Sequence, residues 1–350
     1  MLHVHNITIR YGGQEVLNEV TFFVGPKERV GLVGDNGAGK TTLLEIIAGQ
    51  RSADDGFVKL DPHNTLGYLS QESQCRLGIT LENEMLSAFP GVLAARAELA
   101  RLQDEMDTAA TSGDLDKIDC LVEAMSAAQD EYDRLDGYTV VARVGEVLHG
   151  LGFAQDDRSR LTDEFSGGWQ MRIALAKLLV SQPSLLLLDE PTNHIDKAAR
   201  DWLEGYLDGY RGSLIVVSHD TALLDNVAKR IIELEDSVAT SYTGNYSDYL
   251  RLKAERRRHH EAAYRRQQKF IRRQQTYIER FRAIATRAAQ VKARERQLER
   301  LDRVEAPKPE PKSIDFRFLG GGRGSREIIT FKHVTKAYDD LVVLRDVSFT

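Results

Sequence analysis

The sequence predicts an α/β domain with a helical insertion, followed by a long helical hairpin. Three observations predict it. Short β-type runs fill residues 2–69, helix-spaced apolar residues fill about 79–149, and apolar strand runs alternating with helical stretches then return. Beyond Gly244 no Gly or Pro occurs until Pro307, and charged and Gln residues dominate, which reads as helix.

Taken in order, residues 4–9, 20–24, 30–33, 57–60 and 65–69 are strand-like and separated by Gly, Pro, Asp and Asn. Leu93, Leu99, Leu102, Met106, Leu121 and Met125 are spaced for helices, with a break at 111–113. Residues 185–188, 214–217 and 231–234 read as buried parallel strands. In the charged stretch, Phe270, Tyr277, Ile284, Val291 and Leu298 recur every seven residues, a heptad-like apolar stripe on a basic surface. Unbroken, some 55 residues would make a rod of roughly 80 Å, so a two-helix hairpin turning within 283–289 is expected. Pro307, Pro309 and Pro311 then end the helix in an extended spacer, and glycines within 320–324 make a flexible joint.

The chain also repeats itself. At an offset of 327, Val4 aligns with Phe331, Ile7 with Val334, Tyr11 with Tyr338, Leu17 with Leu344, Val20 with Val347 and Phe22 with Phe349. Thr350 therefore falls inside the opening strands of a second copy of the first domain, which is expected to be cut short.

Composition narrows the class. With 350 residues, 42% hydrophobic and 29% charged, the chain has ordinary soluble composition and length for about two domains. Cys75 and Cys120 are isolated and lack metal spacing, which argues against a disulfide scaffold or zinc site and for a reducing, cytoplasmic setting. No apolar run reaches membrane-spanning length and the N-terminus does not read as a signal peptide. The net charge of −6 is a cancellation: residues 251–312 hold 20 Lys/Arg against 8 Asp/Glu, so +12 sits on a body of −18. A basic helical segment of this kind is a solvated face or a nucleic-acid footprint.

Three motifs carry chemistry. Gly34, Asp35, Asn36, Gly37, Ala38, Gly39, Lys40 and Thr41 form G-x-x-x-x-G-K-T between a strand and a helical run that begins at Thr42. Glycines allow a tight loop whose N–H groups point at phosphate, Lys40 reaches the β- and γ-phosphates, and the Thr41 hydroxyl suits Mg²⁺. Asp189 and Glu190 follow a Leu run at the carboxyl end of a buried strand; Asp189 fits a Mg²⁺ partner and Glu190 a base orienting water. Ser166, Gly167 and Gly168 precede a helix expected from about Met171, a second anion-binding helix start suited to capping a nucleotide held by another domain.

With these residues the chain resembles the ATP-binding cassette family, and within it the tandem-cassette, ribosome-associated ABC-F group. The fold implied is a P-loop ATP-binding cassette with helical subdomain and arm insertion, followed by an α-helical hairpin linker. The resemblance implies an adenine-stacking role for Tyr11, a nucleotide- and metal-contacting glutamine loop at Gln71, a switch histidine at His219, and a signature at Ser166–Gly168 acting on nucleotide in trans. Trp169 departs from the commoner Gln or Glu of that signature. Pro191, Thr192, Asn193, His194, Ile195 and Asp196 resemble the ABC-F loop after the acidic pair, and Gly244, Asn245, Tyr246 and Ser247 its entry to the linker.

Boundaries implied are 1–245 for the first cassette with an arm at about 85–140, 246–306 for the linker, 307–326 for the spacer and 327–350 for the start of a second cassette. The arm is acidic, 12 Asp/Glu against 4 Lys/Arg between Arg96 and Asp136, which disfavours phosphate contact. The linker instead interleaves arginines with aromatics, and Arg280, Arg282, Arg287 and Lys292 are its RNA-contact candidates.

The function expected is an ATPase, with ATP and Mg²⁺ as ligands, that binds the ribosome at its exit site with the linker toward P-site tRNA, in translation or antibiotic protection. Two cassettes of the full-length protein would close on two ATP molecules; the present chain would need a second molecule, a possible homodimer. The alternative is the ATPase subunit of a transporter, which needs no basic linker leading to a second cassette. An SMC-like ATPase would carry its coiled coil before Asp189 rather than after the cassette.

Overall fold

The computed structural model describes residues 1–71, 75–112, 115–193, 195–281, 287–307, 329–338 and 341–350. The chain divides into two units, Met1–His259 and His260–Thr350.

In the first unit, β1 (Leu2–Tyr11), β2 (Gln14–Val24) and β4 (Asp55–Leu60) make an antiparallel sheet of order β2-β1-β4, while β3 (Arg29–Gly34) lies in a larger sheet. That sheet adds β5 (Leu66–Leu69), β6 (Leu185–Asp189), β7 (Ser213–Val217), β8 (Arg230–Glu235) and β9 (Val238–Thr243) in the order β5-β6-β7-β3-β8-β9. All its pairings are parallel except β8 with β9.

The Leu run of β6 explains why the sheet is central. All five of its residues are buried, and successive side chains enter opposite cores. Leu185 and Leu187 join Leu2, Val4, Ile7 and the helix α1 (Lys40–Ile47) beneath the antiparallel sheet. Leu186 and Leu188 join the helices on the other face: α2 (Leu81–Leu86), α5 (Gly137–Gly150), α6 (Gly167–Ser181), α7 (Lys197–Asp208) and α8 (Thr221–Val227).

The expected helical insertion is two long helices, α3 (Pro90–Ser112) and α4 (Leu115–Arg134), which bracket the expected break. They bury a small cluster of their own, Leu102, Ala109 and Leu121, with Met106, Ile118 and Met125 against it. This cluster is separate from the two sheet cores, whereas Val92 and Ala95 of α3 and Tyr132 of α4 join the helical core and anchor the pair to the cassette.

The linker begins as α9 (Tyr246–Phe281), whose first turns pack on the first unit through buried Tyr249. In the second unit the rest of α9 runs antiparallel to α10 (Ala288–Glu299). Tyr277 Oη donates to Gln290 Oε1 at 2.8 Å, Arg294 reaches Gln274 Oε1, and Gln267 Nε2 donates to the Asp302 carbonyl at 2.6 Å. Partner numbers fall on one helix as they rise on the other, as in a hairpin. The heptad stripe is therefore split between two facing helices, with Val291 buried between them. Ile284 and Arg282, the spacer from residue 308 on and the glycines of 320–324 lie outside the described residues.

The last hairpin, β10 (Phe331–Tyr338) and β11 (Leu341–Phe349), reproduces the repeat in register as well as sequence. Its five aligned pairs, from Phe331↔Phe349 to Tyr338↔Leu341, each match a β1–β2 pair shifted by 327. The bulges repeat too: Asn6 and Glu19 take positive φ of 50°, and His333 and Asp346, 327 positions on, take 49° and 52°.

Leu187→Ala is expected to lower unfolding free energy by about 3 kcal/mol, because the vacated volume lies between two packed layers; urea titration measures it. Leu121→Ala is expected to speed amide exchange in the arm while leaving the cassette midpoint in place. Equal midpoint shifts for both would show that arm and cassette unfold together.

Candidate functional site

The carboxyl ends of β3, β6 and β7 lie side by side, and the loops leaving them build the site. Gly34 ends β3 where a Cβ would sit 2.5 Å from the Leu234 carbonyl oxygen of β8, so no other residue fits there without moving backbone. Gly39 caps α1 at φ 92°, and a Cβ there would lie 2.9 Å from Val16 Cγ1. Gly37, at φ 83°, faces open space. The loop is thus a cradle closed behind and open in front, with N–H groups of a helix start at its edge. Lys40 Nζ donates back to the carbonyls of Gly34 and Asp35 at 2.8 and 2.9 Å.

Thr41 Oγ1 donates to Asp189 Oδ2 at 2.7 Å, and Gln71 Nε2 lies 3.4 Å from Asp189 Oδ1. Asp189 is fully buried. Burial pushes its carboxyl above the usual range, against the opposing pull of Thr41, Gln71 and the Lys40 charge.

Glu190 follows with φ 52°, a left-handed backbone for a residue with a side chain, fixed by its N–H bond to Val217 O at 2.9 Å. Its Oε2 accepts from the His219 backbone N–H at 3.1 Å. Its buried Oε1 makes no hydrogen bond among the described residues and faces His219 Nε2 at 3.4 Å. His219 itself is exposed, on a segment steadied by Asp220, which caps α8 and pairs with Arg200 at 3.1 Å.

Of the sequence-predicted residues, Tyr11, Asn36, Gly37, Gly39, Lys40, Thr41, Thr42, Gln71, Asp189, Glu190 and His219 line one cavity of about 350 Å³. Gly34 and Asp35 line the neighbouring cavity instead, and Ala38 packs against the core beneath the loop. The donor set suits Mg²⁺: a hydroxyl, a carboxylate and an amide oxygen, with no group of three or more His, Cys, Asp or Glu side chains placed to hold a metal among the described residues.

Ser166, Gly167 and Gly168 line neither this cavity nor its neighbour. The helix they open starts at Gly167 rather than near Met171, because the glycines themselves take helical backbone in its first turn. Ser166 is the N-cap, its side chain makes no capping bond, and the space before Gly167 is open. Trp169 is a packing residue: it meets Phe153 edge-on at 4.9 Å and carries the Arg172 guanidinium 4.1 Å over its ring.

In the second unit Arg280, Arg287 and Lys292 are exposed. The guanidiniums of Arg280 and Arg287 each lie 5.6 Å from the Phe281 ring centre. Arg282 falls outside the described residues.

Two groups escape sequence reasoning. Val16 and Val217 line the nucleotide-sized cavity as ordinary strand residues, and nothing in their pattern marks them. Glu233 is different, for a charge inside the apolar run of β8 is a visible signal. It is buried, accepts from Tyr242 Oη at 3.1 Å and Tyr249 Oη at 2.6 Å, and pairs with Lys253. Burial pushes the Tyr249 phenol up, and Glu233 adds to it. The cluster borders a neighbouring cavity of about 190 Å³ that shares Lys40 and His219 with the first.

A family model described as ABC transporter matches residues 17–193, and a second with the same description matches 232–318. The chain is 36% identical over 350 residues to ABC transporter F family member 5 of Arabidopsis thaliana, covering 99% of this chain and 50% of that protein. It is 37% identical over 350 residues to the putative ATP-binding protein YdiF of Bacillus subtilis, covering 100% and 54%. With the tylosin resistance ATP-binding protein TlrC of Streptomyces fradiae it shares 38% over 269 residues, 77% of this chain and 47% of that protein. The chain spans about half the length of these curated relatives. A solved ATP-binding subunit of an ABC transporter matches at TM-score 0.51 and 20% identity, covering 69% of this chain and 90% of that one, a likeness of fold. No helix among the described residues is long and apolar enough to cross a membrane. The chain belongs to the ABC transporter family, as an ATP-binding cassette of the F type.

Proposed function

We propose that this chain binds MgATP in the Tyr11–Lys40–Asp189 cavity and hydrolyses it, and that the whole protein uses the bound state to hold the ribosome. The observation that supports the first part is the convergence of phosphate loop, acidic pair, Gln71 and His219 on one cavity. The base would stack on Tyr11, and the phosphates would lie along the loop N–H groups from Asn36 to Thr42. Lys40 would exchange the carbonyls of Gly34 and Asp35 for phosphate oxygens. Thr41, Asp189 and Gln71 would hold Mg²⁺, which when bound neutralises charge on the β- and γ-phosphates.

Glu190 has one oxygen held by the His219 N–H and the other without a hydrogen bond, so it is set to orient an attacking water. His219 would touch the γ-phosphate side and register its loss. Ser166–Gly168 would cap a nucleotide held by another cassette, from the second half of the protein or from a second chain.

Ribosome binding is supported by the paired basic helices, whose arginines surround aromatic rings near the hairpin end. Arginine beside aromatic carbon suits RNA backbone and bases. One relative is named for tylosin resistance, which supports testing antibiotic protection alongside translation.

Lys40→Ala is expected to weaken MgATP affinity at least about tenfold in a fluorescent-nucleotide titration. Glu190→Gln is expected to retain binding while turnover falls about a hundredfold or more, the scale of a lost general base. Unchanged phosphate release from Glu190→Gln would remove Glu190 from the chemistry.

In the two-cassette protein, Glu190→Gln with ATP is expected to pellet with ribosomes more than the ADP form does, and less once Arg280, Arg287 and Lys292 are changed to Gln. No enrichment over ADP would refute the ribosome reading. Equal enrichment of the triple variant would refute the linker's part in it.

A further inference from the structure

Tyr11 poses a problem for a nucleotide platform. It ends β1, is followed by Gly12 and Gly13 at φ 56° and 88°, and is 43% exposed at the rim of the cavity. An aromatic ring beside a glycine turn, left to itself, would have to be ordered by each incoming base, at a cost to affinity.

One side chain removes that freedom. Arg51 Nη1 donates to Tyr11 Oη, and its guanidinium carbon lies 5.5 Å from the Tyr11 ring centre. Arg51 is itself held from the opposite edge, where Nε donates to Glu45 Oε2 at 2.7 Å. Its backbone is held too: the N–H groups of Gln50 and Arg51 reach the Glu45 carbonyl at 2.9 and 3.3 Å. Glu45 lies in α1, the helix that starts at Lys40. Five residues of helix, about 7.5 Å, therefore separate the phosphate-binding end from the residue that anchors the arginine.

We propose that Arg51 is a positioning residue for the nucleotide base, fixing the Tyr11 ring at a set distance from the phosphate cradle through the chain Glu45–Arg51–Tyr11. This rests on the ATP reading above and adds to it a residue that does not line the cavity. Arg51 acts through Tyr11 and touches no reacting atom. A planar guanidinium suits the task because separate N–H groups engage the phenol and the carboxylate at once, which an ammonium does less well. The plain alternative is an exposed Arg51–Glu45 ion pair of the ordinary surface kind, which would bear on stability but not on base binding.

The two are separated by titrating the whole chain with MgATP and, in parallel, with inorganic tripolyphosphate, which has no base to stack. Arg51→Ala and Tyr11→Phe are each expected to weaken MgATP binding by about three- to tenfold, the cost of ordering a ring side chain. The double variant is expected to be no weaker than either single one, since both remove the same bond. Arg51→Lys is expected to fall between Arg51→Ala and the unaltered chain. Tripolyphosphate affinity is expected to stay constant throughout.

Equal losses for MgATP and tripolyphosphate, additive losses in the double variant, or unchanged MgATP binding by Arg51→Ala would each overturn the assignment. Failure of the unaltered chain to bind MgATP at all would overturn the ATP reading itself, an outcome distinct from these three.

Discussion

The 2.7 Å hydrogen bond from Thr41 to Asp189 joins residues 148 positions apart, and the rest of the site is arranged around it. It exists because β3 and β6 are parallel strands of one sheet with β7 between them, so their carboxyl ends finish on the same edge. The phosphate loop leaves one end and the acidic pair the other. A carboxylate buried as deeply as Asp189 would be unfavourable alone, and the hydroxyl, amide and ammonium gathered near it are what make its position tolerable. Loop geometry, metal donors and water-orienting carboxylate are thus consequences of strand order as much as of motif.

Much of this is legible in the amino-acid sequence. Asp189 and Glu190 sit at a strand end that the apolar run reveals, and Lys40 and Thr41 open a helix that the glycine-rich motif places after another strand. Tyr11, Gln71 and His219 come from family resemblance rather than from pattern. The start of α6 differs from expectation because a Gly pair reads as a turn, whereas Gly167 and Gly168 form the first turn of the helix, after Ser166 in extended backbone. Strand β9 is hidden because Val238–Thr243 mixes polar and apolar residues at a sheet edge.

The contacts that escape are those with no period. Arg51 lies six positions after Glu45 and 40 after Tyr11, spacings that match neither helix nor strand. Trp169 shows the converse: a residue that departs from a motif is explained by the Phe153, Phe165 and Arg172 side chains around it. The recurrence of the β1–β2 bulges at β10–β11 shows that the repeat is one of backbone conformation. Strained φ values at Asn6 and His333 would not coincide at the same offset unless the surrounding register were shared.

Glu233 lies on β8, paired in register with Val33 immediately before the phosphate loop, and grips the first turns of α9 through Tyr249 and Lys253. One buried carboxylate thus serves two elements at once, so neutralising Glu233 would loosen the start of α9 and unsettle β8 in the same stroke.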